Sequence, residues 1–254
     1  MTAAAPLRIE SSGLTHQGRV RQQNQDSYCV RERESLWAVA DGMGGHEGGE
    51  WASAKLVEKL DEIEVPVALE AACDAVEEAI CRANRAIVVE AETRGRQMGS
   101  TIVALVVRDA TYAVLWVGDS RAYLLRDNAL IQLSRDHTQV QEMVDRGVMK
   151  PEDVAGHPMG HILSRAVGVR REIEIERVYG EVQPGDVFLL CSDGLHGYVD
   201  EAEIQRRMAR GSPERALDEL IALTLDNGAP DNVTGIAIWA SEPTLLSIAE
   251  SVKS

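Results

Sequence analysis

The sequence predicts an α+β fold that combines antiparallel strands with amphipathic helices. Three short runs rich in Val, Ile, Leu and Tyr lie between residues 100 and 126, separated by polar turns, as expected for an antiparallel meander. From Leu69 to Ile87, apolar residues recur at steps of three and four, which is typical of a helix with one buried face. The 254 residues contain no internal repeat or low-complexity linker, so we predict a single domain over residues 1–254.

The first half of the chain alternates between strand and helix patterns. In order we expect short strands within residues 8–30, a strand at 36–40, helices at 51–60 and 66–94, and strands at 100–107, 112–117, 121–126 and 129–133. Pro66 is expected to begin the second helix, because the fixed φ of proline suits the first helical turn. Gly95 is expected to follow its end.

The second half contains a long excursion from the strands. A helix is expected at 138–146, and Gly147, Pro151, Gly156 and Pro158 then predict an irregular segment that shifts as a unit. The remaining expected elements are strands at 172–179 and 186–191, helices at 201–210 and 212–225, a strand at 233–239 and a helical tail after residue 243.

Composition restricts the classes of partner. The net charge of -15 disfavours nucleic acids and anionic membrane surfaces, and it suits either a protein that gathers divalent cations or simply a soluble one. No run approaches the roughly 18 apolar residues of a membrane span. Residues 1–10 lack the pattern of a signal peptide. The four cysteines are far apart, so we expect reduced thiols in a cytoplasmic protein without membrane insertion.

A glycine-rich stretch after the strand at 36–40 is the first candidate for a functional site. Asp41 follows this apolar run, and five glycines lie within the next dozen residues. Glycine lets backbone carbonyls approach an ion that side chains would otherwise keep away. A tight Asp-Gly turn of a hairpin explains the same pattern equally simply.

Further aspartates also lie at predicted strand boundaries. Asp193 and Asp231 each stand beside glycine, proline or asparagine, and Asp119 and Asp26 share that character. If the strands pack as paired sheets, these carboxylates converge and require cations or raised pKa values. Oxygen ligands favour Mg²⁺ or Mn²⁺ over zinc. For Asp119, capping of its own turn is an alternative role.

Several other chemistries are excluded by their motifs. No cysteine is followed by an arginine six positions later, as a cysteine-phosphatase loop requires. The chain also lacks Gly-x-x-x-x-Gly-Lys, Gly-x-Ser-x-Gly and His-Glu-x-x-His. The scattered histidines, His46, His137 and His161 among them, disfavour an imidazole-rich metal site.

Six short motifs in one order resemble the metal-dependent (type 2C) serine/threonine protein phosphatases, in particular their stand-alone bacterial branch. They are Arg21-Gln-Gln-Asn-Gln-Asp26, Val39-Ala-Asp-Gly-Met-Gly-Gly45, Gly99-Ser-Thr101, Val117-Gly-Asp-Ser-Arg121, Cys191-Ser-Asp-Gly194 and Pro230-Asp-Asn-Val233. The resemblance covers residues from about 10 to 240. It implies a four-layer α-β-β-α sandwich, with two antiparallel sheets between helix pairs, and a flap at about residues 138–163.

The resemblance also implies a set of metal ligands. Asp41 would bridge two Mn²⁺ or Mg²⁺ ions, with the carbonyl of Gly42 on one of them. Asp193 and Asp231 would hold the other ion. Asp119 would share a weaker third ion with Asp193.

Two further roles follow from the same resemblance. Asp26 would orient metal-bound waters, and Arg21 would bind the substrate phosphate, for which a guanidinium suits better than an ammonium. Pairing of Arg21 with a nearby carboxylate such as Asp26 is the structural alternative.

The sequence departs from many eukaryotic relatives at two positions. Gln25 replaces a glutamate, and Met43 replaces a histidine that is a proposed proton donor to the leaving group. His46 lies three residues further on, and either His46 or a metal-bound water could take that role.

The resemblance implies hydrolysis of phosphoserine and phosphothreonine on proteins by direct attack of a metal-bound hydroxide, without a covalent intermediate. Phosphorylated proteins would be the partners, and a bacterial Ser/Thr kinase would act in the opposite direction. Two alternatives are a pseudophosphatase that senses a partner and a phosphatase for small phosphate esters or phosphotyrosine. All the metal aspartates are present in the sequence, which disfavours the pseudophosphatase.

Overall fold

Two antiparallel sheets form the centre of the computed structural model, which describes residues 7–45, 47–154 and 157–242. The first sheet has the strand order β1 (Arg8–His16), β11 (Val233–Ser241), β10 (Val187–Cys191), β7 (Arg121–Arg126) and β8 (Ala129–Gln132). The second has the order β2 (Asp26–Arg31), β3 (Leu36–Met43), β5 (Ile102–Arg108), β6 (Thr111–Val117) and β9 (Glu176–Glu181), and β4 (Gly99–Ser100) pairs with the end of β3. All of these strand pairs are antiparallel, as predicted.

Helices cover the outer face of each sheet. The helices are α1 (Glu47–Asp61) and α2 (Leu69–Arg94) on the second sheet, α4 (Asp193–His196), α5 (Glu201–Met208) and α6 (Pro213–Asp226) on the first, and α3 (Gln139–Asp145) in the excursion. The predicted stripe of α2 is buried from Cys73 to Ile87 against the second sheet. No helix in the described ranges is both long enough and apolar enough to cross a membrane.

Strand alternation separates three apolar cores. In β3, Leu36, Ala38 and Ala40 face α1 and α2, whereas Trp37 and Val39 lie between the two sheets. Successive side chains of a strand point to opposite faces, so strands buried on both faces produce this division. The inner strands are therefore apolar at nearly every position, and the four-layer α-β-β-α sandwich is confirmed.

Several predicted boundaries are wrong; helix α1, for example, begins at Glu47 rather than Trp51. Strand β3 does not end at Ala40 but continues to Met43, because β4 pairs with Gly42 and Met43. Helix α2 begins at Leu69 rather than Pro66, and Ala68 before it has an extended backbone (φ -74, ψ 133).

Another wrong boundary is the start of β9. This strand begins at Glu176 rather than at residue 172, because its pairing with β6 begins only at Trp116. Ile173 and Ile175 pack against the core beneath α2 without joining the sheet, so their alternation imitates a strand.

The excursion starts and ends at one place in the fold. Thr138 and Leu163 form an isolated antiparallel bridge, and Thr138 also caps α3 by accepting from the N–H of Gln141. A 3₁₀ helix, Pro151–Asp153, follows α3. Gly156 of the predicted segment and the predicted tail after residue 243 lie outside the described residues.

Candidate active site

An open cleft of about 1240 Å³ lies where strands of both sheets end. Of the residues predicted to form a site, those that line it are Arg21, Asp41, Gly42, Asp119, Asp193 and Asp231. Asp26 is also close, since β2 pairs it directly with Asp41. The fold thus brings all seven predicted positions into one region.

Strand β3 holds Asp41 and Gly42 at the cleft. Thr101 donates its N–H to the Asp41 carbonyl (2.8 Å), and its hydroxyl oxygen accepts from the Asp41 N–H (3.1 Å). A Cβ atom on Gly42 would lie 2.1 Å from the Gly49 carbonyl oxygen and 2.5 Å from that of Gln25. Only glycine therefore fits between the start of α1 and the β1–β2 loop.

Asp193 and Asp231 are brought together by close backbone packing. Asp193 is the first residue of α4, and a Cβ atom on the next residue, Gly194, would lie 1.8 Å from the Asn232 carbonyl oxygen. The Asp193 and Asp41 carboxyl groups share a hydrogen bond. Burial raises the pKa of both, and that of Asp41 well above its usual 3.8.

Asp26 is buried between the sheets. Its Oδ2 accepts from the hydroxyls of Ser192 (2.9 Å) and Thr234 (2.7 Å), whereas its Oδ1 has no hydrogen-bond partner among the described residues. Burial raises the pKa of Asp26 to about 7, against the lowering effect of the two hydroxyls. A buried carboxylate oxygen without a donor costs free energy, which a water or an ion would recover.

Asp119 lies in the turn between β6 and β7. Its carbonyl accepts from Nε2 of His196 (3.0 Å), a half-buried ring whose pKa burial lowers to about 4. Burial, and next the charge of Asp193, raise the pKa of Asp119 well above 3.8. Asp119 and Asp193 thus line the same cleft, and the charge of Asp193 acts on Asp119.

Arg21 pairs with a nearby carboxylate, as the structural alternative predicts, but the partner is Asp231. Its Nη2 donates to Oδ2 of Asp231 at 2.6 Å, rather than to Asp26, and the hydrogen bond to Asp231 raises the arginine pKa. The Asp231 Oδ1 accepts from the N–H of Asn232 (2.8 Å). The guanidinium remains 53% exposed and faces the cleft.

The donor set fits hard divalent cations. Carboxyl groups with raised pKa values lie together in the cleft, and Oδ1 of Asp26 has no hydrogen-bond partner among the described residues, so both observations indicate missing positive charge. Carboxylate and carbonyl oxygens are the ligands that Mg²⁺ and Mn²⁺ prefer.

The side chains are not already arranged around an ion. In the described part of the chain, no three His, Cys, Asp or Glu side chains are grouped so that they could hold a metal as they stand. Arg21 engages Asp231, and Asp41 is hydrogen-bonded to Asp193. A cation in the cleft would therefore compete with these two interactions.

Some residues of the site were missed by sequence reasoning. Asn232 accepts from the N–H of Gln25 and donates to the carbonyls of Gln17 and Gln23, so it fixes the loop that carries Arg21. Asn232 belongs to the motif Pro230-Asp-Asn-Val233, and this motif is the signal that could have identified it. Met43 lines the cleft and carries no exchangeable proton. His46, the other predicted donor, lies outside the described residues.

The family is shown by comparison with known proteins. The family model described as Protein phosphatase 2C matches residues 13–224. The chain belongs to this family.

Individual relatives agree with this assignment. The "Serine/threonine phosphatase stp" of Listeria innocua is 34% identical over 235 residues, which cover 88% of this chain and 93% of the relative. "Serine/threonine protein phosphatase PstP" of Mycobacterium tuberculosis is 37% identical over 237 residues, which cover 91% of this chain and 45% of that protein.

Solved structures show the same fold. One is "PppA, a key regulatory component of T6SS in Pseudomonas aeruginosa", with a TM-score of 0.86, 37% identity and coverage of 93% of this chain and 99% of that one. Another is the catalytic domain of "serine threonine protein phosphatase PstP in complex with 2 Manganese ions", with a TM-score of 0.82, 34% identity and coverage of 92% and 99%.

Proposed function

We propose that this chain hydrolyses phosphoserine and phosphothreonine on proteins with the help of two divalent cations. The observation that carries the proposal is the convergence of Asp41, Asp193 and Asp231 in one cleft, with raised pKa values for the first two. Membership of the protein phosphatase 2C family and relatives named as serine/threonine phosphatases support the reaction. The solved PstP structure described with two manganese ions supports Mn²⁺ as one cofactor, with Mg²⁺ as the alternative ion.

We assign the ligands by residue. Asp41 would be shared by both ions, the Gly42 carbonyl would bind one, and Asp193 and Asp231 would bind the other. Asp119 would hold a weaker third ion together with Asp193. When bound, the ions lower the pKa of a coordinated water and neutralise the charge that develops on the phosphoryl group.

The chain's own residues bind and orient the substrate. Arg21 exchanges its bond to Asp231 for the phosphate oxygens, to which a guanidinium can donate two parallel hydrogen bonds. Asp26 holds its position through Ser192 and Thr234, and its unpartnered oxygen would accept a hydrogen bond from a metal-bound water. Met43 supplies no proton to the leaving group.

The domain and its setting are also proposals. Residues from about 10 to 240 would form the catalytic core of a single domain. The four cysteines are free thiols, which supports a reducing, cytoplasmic compartment. The opposing partner would be a bacterial Ser/Thr kinase, since its phosphorylated products are the substrates proposed here.

Phosphate release from phosphoserine, phosphothreonine and phosphotyrosine peptides and from a small aryl phosphate tests the function. We expect Mn²⁺-dependent hydrolysis of the first two, abolished by EDTA and restored by added Mn²⁺. Hydrolysis of the aryl phosphate or phosphotyrosine alone would favour the small-ester alternative. No hydrolysis with any ion would favour a pseudophosphatase.

A further inference from the structure

Four exposed apolar side chains line the cleft at its mouth. Val20, Ile162, Val169 and Tyr198, here named the apolar rim, are 67%, 39%, 52% and 40% exposed. Other exposed large apolar side chains of the described residues come from elements outside the cleft. Single exposed apolar residues are normal, whereas several around one cleft indicate a binding surface.

Two rim residues belong to segments with fixed backbones. Val20 follows Arg19, whose N–H donates to the Ala229 carbonyl at 2.9 Å. The Ile162 carbonyl accepts from the N–H of Gln139 at 2.9 Å, where the excursion returns to its starting point. The backbone beside Val20 and at Ile162 is therefore anchored before a substrate arrives, which lowers the entropy cost of binding.

The other two rim residues extend the surface on the sides of β3 and α4. A Cβ atom on Gly99 would contact both Cγ2 of Val169 (3.2 Å) and Cε of Met43 (3.0 Å), so these two apolar groups are neighbours. The Tyr198 carbonyl accepts from Nδ2 of Asn227 at 2.7 Å, and its backbone follows directly on α4. Apolar surface thus lies on several sides of the group formed by Asp41, Asp193 and Asp231.

The charges of the cleft disfavour acidic residues next to the phosphorylated one. Among the described lining residues, Arg21 and Arg165 are the two with permanent positive charge. Arg21 pairs with Asp231, and Arg165 pairs with Glu174 and Glu176, each at 3.2 Å. Beyond the phosphate itself, an acidic side chain would meet no unengaged cation in this lining.

The cleft is also larger than a phosphate group needs. Its volume of about 1240 Å³ exceeds the roughly 300–1,000 Å³ of typical small-molecule pockets. Several residues of an extended peptide therefore fit between the rim side chains, with the phosphate beside Arg21.

We propose that the apolar rim selects substrates in which branched aliphatic or aromatic residues flank the phosphorylated serine or threonine. This inference rests on the proposed function and adds the class of sequence that the site accepts. The rim contacts exist in the ground state and the transition state alike, so they act mainly on KM.

Steady-state kinetics on matched phosphothreonine peptides test the proposal. The peptides form three sets that differ only at the two positions on each side of the phosphothreonine. These positions carry Leu or Tyr in the apolar set, Ser in the second set and Glu in the third. We expect kcat/KM to be highest for the apolar set, by at least about fourfold over Ser, the factor that burial of one methylene group contributes. Val20→Ser and Ile162→Ser are expected to reduce this preference, with a smaller loss on an aryl phosphate.

Val67→Ser is the matched control, since Val67 is 85% exposed and does not line the cleft. It is expected to keep the wild-type preference. Equal or better turnover of the Glu peptides, or rim variants that keep the full preference, would overturn the proposal.

Binding of non-hydrolysable phosphonate versions of the peptides separates this inference from the proposed function. Fluorescence anisotropy measures this binding. If the wild type binds the apolar set more tightly yet hydrolyses none of the phosphopeptides, the proposed selectivity of the apolar rim is supported and the phosphatase proposal fails. Equal binding of all three peptide sets would overturn the proposal that the apolar rim selects substrates.

Discussion

Arg21 illustrates how one side chain can serve two partners in turn. Its guanidinium donates a hydrogen bond of 2.6 Å to Asp231, and the same Asp231 carboxylate is proposed to hold a cation. A cation at Asp231 would compete with this ion pair by charge repulsion, and the guanidinium would then be available to the phosphate.

Arg21→Ala is expected to raise KM for phosphopeptides about tenfold to a hundredfold, the range for hydrogen bonds to charged groups. The KM of Arg21→Lys is expected to lie between those of the wild type and Arg21→Ala, because lysine keeps the charge and loses the planar guanidinium group. Inhibition by free phosphate checks the same contact. Arg19→Ala is the control, since Arg19 bonds to the Leu225 carbonyl outside the cleft. An unchanged KM with a lower Tm would instead make Arg21 only a structural partner of Asp231.

Asp26 makes the stability of the metal-free protein depend on pH. Burial raises its pKa from 3.8 to about 7, so between these values the folded state binds the proton more strongly than the unfolded chain. The contribution to stability is full below pH 3.8 and is lost as the pH rises through about 7.

Asp26→Asn is therefore expected to make the metal-free protein more stable than the wild type at pH 8, by about 1–4 kcal/mol. The difference should shrink towards pH 5, where the wild-type carboxyl regains its proton. Urea unfolding of both proteins in EDTA at the two pH values measures it. A difference that is the same at pH 5 and pH 8 would show that Asp26 is not the titrating group.

At the scale of elements, a pair of hydrogen bonds joins the Asp119 turn to the base of the excursion. His137 donates its N–H to the Gly118 carbonyl (2.9 Å) and accepts the Gly118 N–H at Nδ1 (3.0 Å). Its carbonyl accepts from the N–H of Ser164. With Nδ1 occupied as an acceptor, His137 is neutral, and burial lowers its pKa.

Asp119→Ala is expected to slow turnover more on a phosphoprotein than on a small aryl phosphate. A protein must be seated against the excursion, and misplacement there costs up to about a hundredfold, whereas a small ester needs only the aspartates and the ions. Asp218→Ala, on the exposed side of α6, is the control. Equal losses on both substrates would assign Asp119 to the core chemistry, and no loss would make it a turn residue.

Elements with strong periodicity could be predicted from the sequence. Strand β7 was predicted with its observed bounds, and α6 was predicted from Ser212 and Pro213, which the structure shows as the N-cap and the first helical residue. Helix α4 has four residues, too few to show a period, and β4 has two. Their roles depend on pairing with distant parts of the chain.

The composition of the site was predictable, and its internal bonds were not. Four of the aspartates could be located because each stands beside glycine or proline at a strand boundary: Asp41, Asp119, Asp193 and Asp231. The bonds of Asp26 to Ser192 and Thr234 depend on how β2 of one sheet faces β10 and β11 of the other. Sequence spacing carries no information about that relative placement.

At the scale of the whole molecule, the proposed metal centre joins the two sheets. Asp41 belongs to β3 of the second sheet, whereas Asp193 and Asp231 flank β10 and β11 of the first. Cations bound between them would offset the repulsion of buried carboxylates and would stabilise the packing of both halves.

Mn²⁺ is therefore expected to raise the Tm of the metal-free protein. A ligand at a hundred times its Kd adds about 2.7 kcal/mol, which corresponds to about 5–10 °C for a chain of this size. Differential scanning calorimetry with and without Mn²⁺, with Ca²⁺ as a comparison ion, measures the shift. A Tm that is insensitive to Mn²⁺ would contradict a metal centre between the sheets.

Turnover of a phosphothreonine peptide by Asp41→Asn in saturating Mn²⁺ tests the central claim most directly. Asparagine keeps the shape and removes the charge of the residue proposed to bridge both ions. We expect a loss of more than about a hundredfold in kcat with an unchanged circular dichroism spectrum, because metal activation of water is the main source of rate. Near-normal turnover by this variant would contradict the two-metal account.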